Sequence, residues 1–180
     1  MSNTATFVVG MACLSIRSGA QSVDIEVLFD HVMRVLATRP FYPCVLLVDS
    51  EVHRVQSAGE QLALRAGWPQ VAVSRVLAER LSEVPEAQRS LAADGALDGT
   101  LADHRPGPVL CTDLALLFEP ALALDSLALL RRWSRSVSLV ACWPGAVTAA
   151  GLAYAVPEHA HYRVWKDTQL RSDCVVDLAR

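Results

Sequence analysis

The sequence predicts an α/β fold of three layers, with a mostly parallel sheet between two sets of helices. Cys44–Val48 is an unbroken apolar run, the composition of a strand buried on both faces. Val109–Cys111 repeats it, and Val137–Cys142 does so apart from Ser138. Between these runs lie amphipathic helical stretches joined by connectors of a few residues, the alternation that builds a parallel sheet with helices on both faces.

The elements follow in order. Thr4–Ile16 is apolar and rich in small residues, and reads equally as a strand or an irregular arm. Ser22-Val23-Asp24-Ile25-Glu26 opens a helix, with Ser22 as its N-cap and acids in the first turn. Val23, Val27, Leu28, His31, Val32, Val35 and Leu36 recur near the helical period, and Thr38-Arg39-Pro40 stops it. His31 reads as a histidine at the core's rim, since no second ligand is spaced to join it. After the Cys44–Val48 strand, Asp49–Gln56 reads as a turn. Val55–Ala66 is a helix with Leu62, Leu64 and Ala66 available for packing. Pro69–Val73 is a short strand, and Ser74 caps a helix over Val76–Leu81. Pro85 suits the start of a helix over Glu86–Leu101, which Gly95 and Gly99 weaken. Arg105-Pro106-Gly107-Pro108 is a connector. Val109–Asp113 is a strand that ends on a carboxylate, and Leu122–Trp133 a helix with Arg131 and Arg132 at its C-terminal end. Val137–Cys142 is a strand closed by Trp143-Pro144-Gly145. Ala160–Trp165 is a further strand, and Cys174-Val175-Val176 an edge strand.

Composition bounds the function. The 180 residues suit one domain over 1–180, with an N-terminal segment and helix at 1–40, a core at 41–165 and a tail at 166–180. Hydrophobic residues are 52% and charged residues 19%, which argues for a packed globule and against disorder. A net charge of −3 gives no general attraction to phosphate backbones, so DNA requires a local basic patch. No apolar run reaches the roughly 18 residues of a membrane span, and the N-terminus lacks a basic region followed by an apolar core. A cytoplasmic protein is the expectation. The five cysteines are widely spaced with no Cys-x-x-Cys pair, and Cys44, Cys111 and Cys142 sit in apolar runs; reduced core thiols are expected, with neither zinc nor disulfides.

The carboxylate of Asp113 raises a sharper question. A buried strand that ends on one acid is what a P-loop NTPase uses to hold Mg²⁺ near phosphates; it is equally a core strand with a polar cap. On the first reading the turn after Val48 is the phosphate loop, which needs Gly-x-x-x-x-Gly-Lys-[Ser/Thr]. Its glycines let backbone amides turn inward, its lysine neutralises phosphate charge and its hydroxyl binds Mg²⁺. Here the register gives Asp49-Ser50-Glu51-Val52-His53-Arg54-Val55-Gln56. Both glycines are absent, Val55 replaces the lysine and Gln56 the hydroxyl. Asp49 and Glu51 add negative charge where a triphosphate would lie. Arg54 supplies one cation but no amide nest. The candidate nucleotide-binding residues are Asp49, Ser50, Arg54, Gln56 and Asp113, in a degenerate loop.

An ordered set of motifs adds to this. Arg75-x-Leu77-Ala78-Glu79-Arg80-Leu81 is followed by Pro85-x-x-x-Arg89, then by Val109–Asp113 with Leu116-Leu117-Phe118-x-Pro120. Val140-Ala141-x-Trp143-Pro144-Gly145, Leu152-x-Tyr154-Ala155 and Pro157-x-His159-x-x-Tyr162-Arg163 complete it. In this set the chain resembles the BrxF family, small P-loop proteins of type 3 bacteriophage-exclusion (BREX) defence systems, over residues 40–165. The resemblance implies a P-loop NTPase-like fold with an AAA+/RecA-like core and membership of a phage-defence system. The family pattern has an intact phosphate loop and an acidic strand of the type Leu-Leu-Asp-Asn, whereas Leu114 follows Asp113 here. The expectation is a non-catalytic member that acts through protein–protein assembly with other BREX proteins, self-associates and needs no cofactor. One alternative is an active or weak ATPase using Asp113, with ATP and Mg²⁺.

A second alternative is a DNA-binding module. Arg131, Arg132 and Arg135 around Trp133 form the best basic and aromatic patch, suited to phosphates or to a subunit interface; cations at a helix C-terminus account equally for Arg131 and Arg132. His159 and His161 with Glu158 lack a third ligand, so a solvated edge is expected there and no metal. Ser15, Ser50 and Ser57 lack a Gly-x-Ser-x-Gly context, which leaves a hydrolase triad without support.

Overall fold

The computed structural model describes residues 23–179. Thr4–Ile16, Cys13 and Ser22 lie outside the described residues. α1 (Ile25–Ala37) is capped by Asp24, whose Oδ1 accepts the amides of Glu26 at 3.0 Å and Val27 at 3.2 Å. The capping role expected of Ser22 thus falls to the acid two residues on, which is placed to reach the free amides. α1 buries Leu28, Val32 and Val35, while Val27 remains exposed. His31 is half-buried, with Nε2 2.8 Å from the Asp173 carbonyl.

β1 (Cys44–Asp49) is buried along its whole length, as its composition requires. α2 (Val52–Ala66) follows after only two residues, so the expected turn over Asp49–Gln56 is corrected to Ser50-Glu51. Its packing face is Val55, Ala58, Gly59, Leu62 and Ala63; Leu64 points to solvent. β2 (Gln70–Ala72) runs directly into α3 (Val73–Leu81). Ser74 does not cap α3 as expected, because the N-cap is Ala72, two residues earlier, which puts Ser74 in the first turn. Instead its hydroxyl donates to the Asp113 carbonyl at 2.7 Å and accepts the Leu116 amide at 3.0 Å. The helix expected over Glu86–Leu101 is two, α4 (Glu86–Gly95) and α5 (Asp98–Ala102), broken near Gly95, where backbone entropy disfavours continuation.

β3 (Val109–Thr112) leads through two 3₁₀ turns, Ala115–Phe118 and Pro120–Leu122, to α6 (Ser126–Ser134). α6 starts four residues later than the apolar pattern indicated, because Asp125 caps it by accepting the Ala128 amide at 3.1 Å. β4 (Leu139–Thr148) is longer than expected and carries straight through Trp143-Pro144-Gly145. β5 (Gly151–Tyr154) pairs antiparallel with the second half of β4, and β6 (Arg163–Trp165) pairs antiparallel with β5. β7 (Val175–Asp177) is the edge strand expected from the tail.

The parallel strands lie in the order β2-β3-β4-β1-β7. Side chains alternate across the sheet. Cys44, Leu46, Val48, Cys111, Ala141 and Trp143 pack under α3–α6. Val45, Leu47, Leu110, Val140 and Cys142 pack under α1 and α2. Three layers result, as the sequence predicts. Burial pushes the Cys111 thiol up to about 12 and raises Cys44 and Cys142 as well, so these three behave as apolar filling. Among the described residues no helix is long and apolar enough to cross a membrane.

Trp143-Pro144-Gly145 is the hinge between the two halves of β4. Asp49 against Pro144 is the last register pair with β1, and pairing with β5 starts at Gly145 against Tyr154. Trp143 is fully buried, and its indole N–H donates to the Ala153 carbonyl at 2.7 Å. A Cβ at position 145 would stand 1.9 Å from that oxygen, so only glycine permits the contact. Phe118, Tyr154 and Trp165 close around Trp143, with Phe118 stacked on Tyr154 at 3.7 Å. The motif expected to close the strand lies inside it and anchors an aromatic core.

Two predictions follow from packing and capping. At Gly59 an added Cβ would meet the Cys142 Sγ at 2.5 Å and Leu110 at 3.0 Å. Gly59→Ala is expected to destabilise by about 1–3 kcal/mol in urea denaturation, and adding Cys142→Ala to recover part of the loss. At Asp125 burial raises the carboxyl, but the Ala128 amide, the Trp165 indole and the charges of Arg163 and Arg131 outweigh it and hold the group below its usual value. That contribution to stability is complete above the unfolded value of about 3.9 and is lost as pH falls through the lower folded value. Asp125→Asn, which keeps a cap, should flatten the acid side of the melting-temperature profile; an unchanged profile would refute the assignment.

Candidate functional site

In an open parallel sheet the C-terminal ends of the strands frame the crevice where ligands bind. β1 delivers Asp49 there and β3 delivers Asp113, with β4 between them. From the strand spacing the two strands are about 10 Å apart.

Asp49 is 1% exposed, the only acidic or basic side chain that is buried among those described. Its Oδ1 accepts the Glu51 amide at 2.8 Å and the Arg54 Nη2 at 2.9 Å, and its Oδ2 accepts the Arg54 Nε. The pair is bidentate, a guanidinium fork on a carboxylate. The bonds to Asp49, reinforced by the charges of Glu51 and Asp177, raise the Arg54 guanidinium above its usual value. Local sequence explains the geometry. Asp49 ends β1, Ser50-Glu51 is too short for anything but a direct step into α2, and Arg54 sits in the first turn, within reach of the strand end. The first amides of a helix and its dipole favour an anion. Here the anion is the protein's own carboxylate, and its counter-cation is the protein's own arginine.

The expected nucleotide residues therefore separate. Asp49 and Arg54 are joined to each other. Ser50 and Glu51 are exposed. Gln56 lies inside α2, two residues beyond Arg54 and so about 200° round the helix. Two residues between strand and helix leave no loop to present successive amides. No buried side-chain nitrogen or oxygen among the described residues lacks a partner, so no orphaned donor points into the crevice.

Asp113 takes a left-handed backbone, φ 49°, which aspartate tolerates better than most residues. Its carbonyl is held by the amide of Ser74 at 2.8 Å and by the Ser74 hydroxyl. Its half-buried carboxylate has neither a hydrogen-bond donor nor a cation among the described residues. The Ser74 clip was not visible in the sequence, since its partner is a backbone carbonyl 39 positions away.

The arginines of α6 also separate. Arg131 donates to the Thr168 carbonyl at 2.9 Å and faces the Tyr42 ring at 5.7 Å. Arg132 lies 3.4 Å from Asp98, whose Oδ1 also accepts the Trp133 indole N–H at 3.0 Å. Arg135 stands over the exposed Phe41 ring at 5.4 Å. His159 and His161 lie in a turn rather than on a strand, and the His159 Nδ1 accepts the His161 amide at 3.1 Å. Among the described residues no group of three acids, histidines or cysteines is placed to hold a metal. A cavity of about 270 Å³ between α3, α4 and the 3₁₀ turns, lined by Leu81, Glu86, Arg89, Leu116 and Leu122, is distant in character from both acids; Arg89 there bonds the Val84 carbonyl.

No protein-family model, curated protein or solved structure matches the chain. What the fold and site define is a class: a mostly parallel, three-layer α/β protein whose crevice is closed at β1 by an internal ion pair.

The pair yields a prediction. Arg54→Met leaves the Asp49 carboxylate buried without its cation, and should lower the melting temperature more than substitution of Ser50 or Glu51. Asp49→Leu combined with Arg54→Met should regain most of the loss, since apolar replacement leaves no unpaired charge. Scanning calorimetry on the variants decides it; a double variant no more stable than Arg54→Met would contradict the account.

Proposed function

We propose that the chain is a non-catalytic, P-loop-like component of a BREX anti-phage defence system, acting in the cytoplasm through protein–protein assembly with the other proteins of that system and with copies of itself. One observation carries the non-catalytic part: the Asp49 carboxylate, clamped by Arg54 and the Glu51 amide, fills the place at the start of α2 where a phosphate loop would hold a triphosphate. A triphosphate there would have to displace a bidentate internal pair and approach Glu51, with no glycine-built nest to repay it. System membership is supported by the ordered motifs that resemble BrxF. The P-loop-like reading, with an AAA+/RecA-like core, is supported by the strand order, which sets the β1 end and the acid of β3 on one edge with a strand between them.

An active or weak ATPase is the second reading, and the unpaired Asp113 carboxylate is what favours it, as a group able to hold Mg²⁺. Thermal melts with millimolar Mg·ATP, together with phosphate-release assays, separate the two. The non-catalytic reading expects no shift in melting temperature and no release above that of Asp113→Ala. A shift of several degrees that Asp113→Ala abolishes would reverse it. Pull-down with the other BREX components and mass photometry test the assembly part; a monomer that captures none of them would refute it.

A further inference from the structure

The opposite edge of the sheet, where the parallel strands start, has a different character. Three contacts bring its loops together. The Leu139 amide donates to the Pro43 carbonyl at 2.8 Å, the Ser138 amide to the Pro106 carbonyl at 3.1 Å, and Arg131 to the Thr168 carbonyl at 2.9 Å. The segments carrying Arg39–Tyr42, Arg105 and Arg135 therefore share one surface. On it Phe41 is 73% exposed, with its ring edge-to-face on Tyr42 at 4.7 Å and the Arg135 guanidinium 5.4 Å from its centre. Arg39, Arg105 and Arg135 are exposed, and none has a carboxylate partner among the described residues.

An uncovered aromatic ring beside unpaired guanidiniums is the combination that takes nucleobases and phosphates together. We propose that this surface binds single-stranded nucleic acid, with a base stacked on Phe41 beside Arg135 and the backbone phosphates met by Arg39 and Arg105. Single strands are favoured because a duplex keeps its base faces stacked, where Phe41 cannot reach them. A protein partner is disfavoured because the ring is bordered by hydrated cations, whereas the anchor of a protein interface sits in a desolvated apolar surround. The net charge of −3 gives no general attraction to polyanions, so binding localises to this edge. The inference is independent of the proposed function, whose residues lie at the other ends of the strands.

Fluorescence anisotropy tests it, with labelled thymidine and uridine oligonucleotides longer than the roughly 16 nucleotides that one binding fold covers, and a duplex of equal length. Single strands should bind more tightly than the duplex. Phe41→Ala should weaken binding roughly 5- to 100-fold, whereas Phe41→Trp, which still stacks, should retain it. Arg39→Ala and Arg105→Ala should each reduce the slope of log affinity against log salt by about 0.7. No binding at low salt, equal binding to duplex, or affinity unchanged by Phe41→Ala would each overturn the proposal. So would loss, in Phe41→Ala, of a complex with another protein while oligonucleotide binding is untouched; that outcome assigns the surface to a protein partner.

Discussion

A buried carboxylate at the end of a central strand constrains everything near it. Asp49 emerges from a strand with no polar side chain before it, so its charge must be met locally or not exist. Taking a carboxylate out of water costs several kcal/mol unless a well-placed cation and hydrogen bonds answer it. The answer comes from the next element: one amide from the step into α2, and a guanidinium fork from the first turn. That solution fixes the connector at two residues and sets Arg54 on the strand side of α2. It also occupies the groups that an incoming anion would use. The helix terminus that would attract a phosphate already holds an anion, and the cation that would neutralise one is engaged.

The second constraint is Trp143. Its indole must find an acceptor when buried, and it does so across the strand at Ala153. This requires a missing side chain at position 145, and proline at 144 coincides with the end of pairing to β1. Trp-Pro-Gly is thus a device for handing one strand from a parallel neighbour to an antiparallel one. Phe118 and Tyr154 complete the cluster, which ties the β4–β6 extension to the 3₁₀ turns after β3.

How much of this the sequence discloses depends on the range of the interaction. The strands beginning at Cys44, Val109 and Leu139 are legible because burial on both faces leaves an unbroken apolar run. Helix starts are less legible: Asp24 and Asp125 win the caps over their neighbours by reaching particular amides, and composition does not rank acids by reach. The absence of a glycine-rich phosphate-loop pattern can be read directly from Asp49–Gln56. The Asp49–Arg54 pair cannot, because it depends on α2 starting at Val52 and not at Val55. The Ser74 clip on Asp113 and the placement of Arg135 over Phe41 were both hidden, since each depends on segments brought together only by the sheet.

The two edges of the sheet also explain why net charge is a poor guide here. Around the C-terminal strand ends lie Asp49, Glu51, Asp113 and Asp177, against Arg54. Around the opposite ends lie Arg39, Arg105, Arg131 and Arg135. Summed, these nearly cancel, and the chain reads as mildly acidic. Separated by the length of a strand, roughly 17–20 Å, they are farther apart than the Debye length of about 8 Å at physiological salt. Each edge therefore meets an approaching molecule largely with its own charge. The surface at the C-terminal strand ends is thus the more acidic and that at the opposite ends the more basic, a division along the strand axis that the net charge conceals.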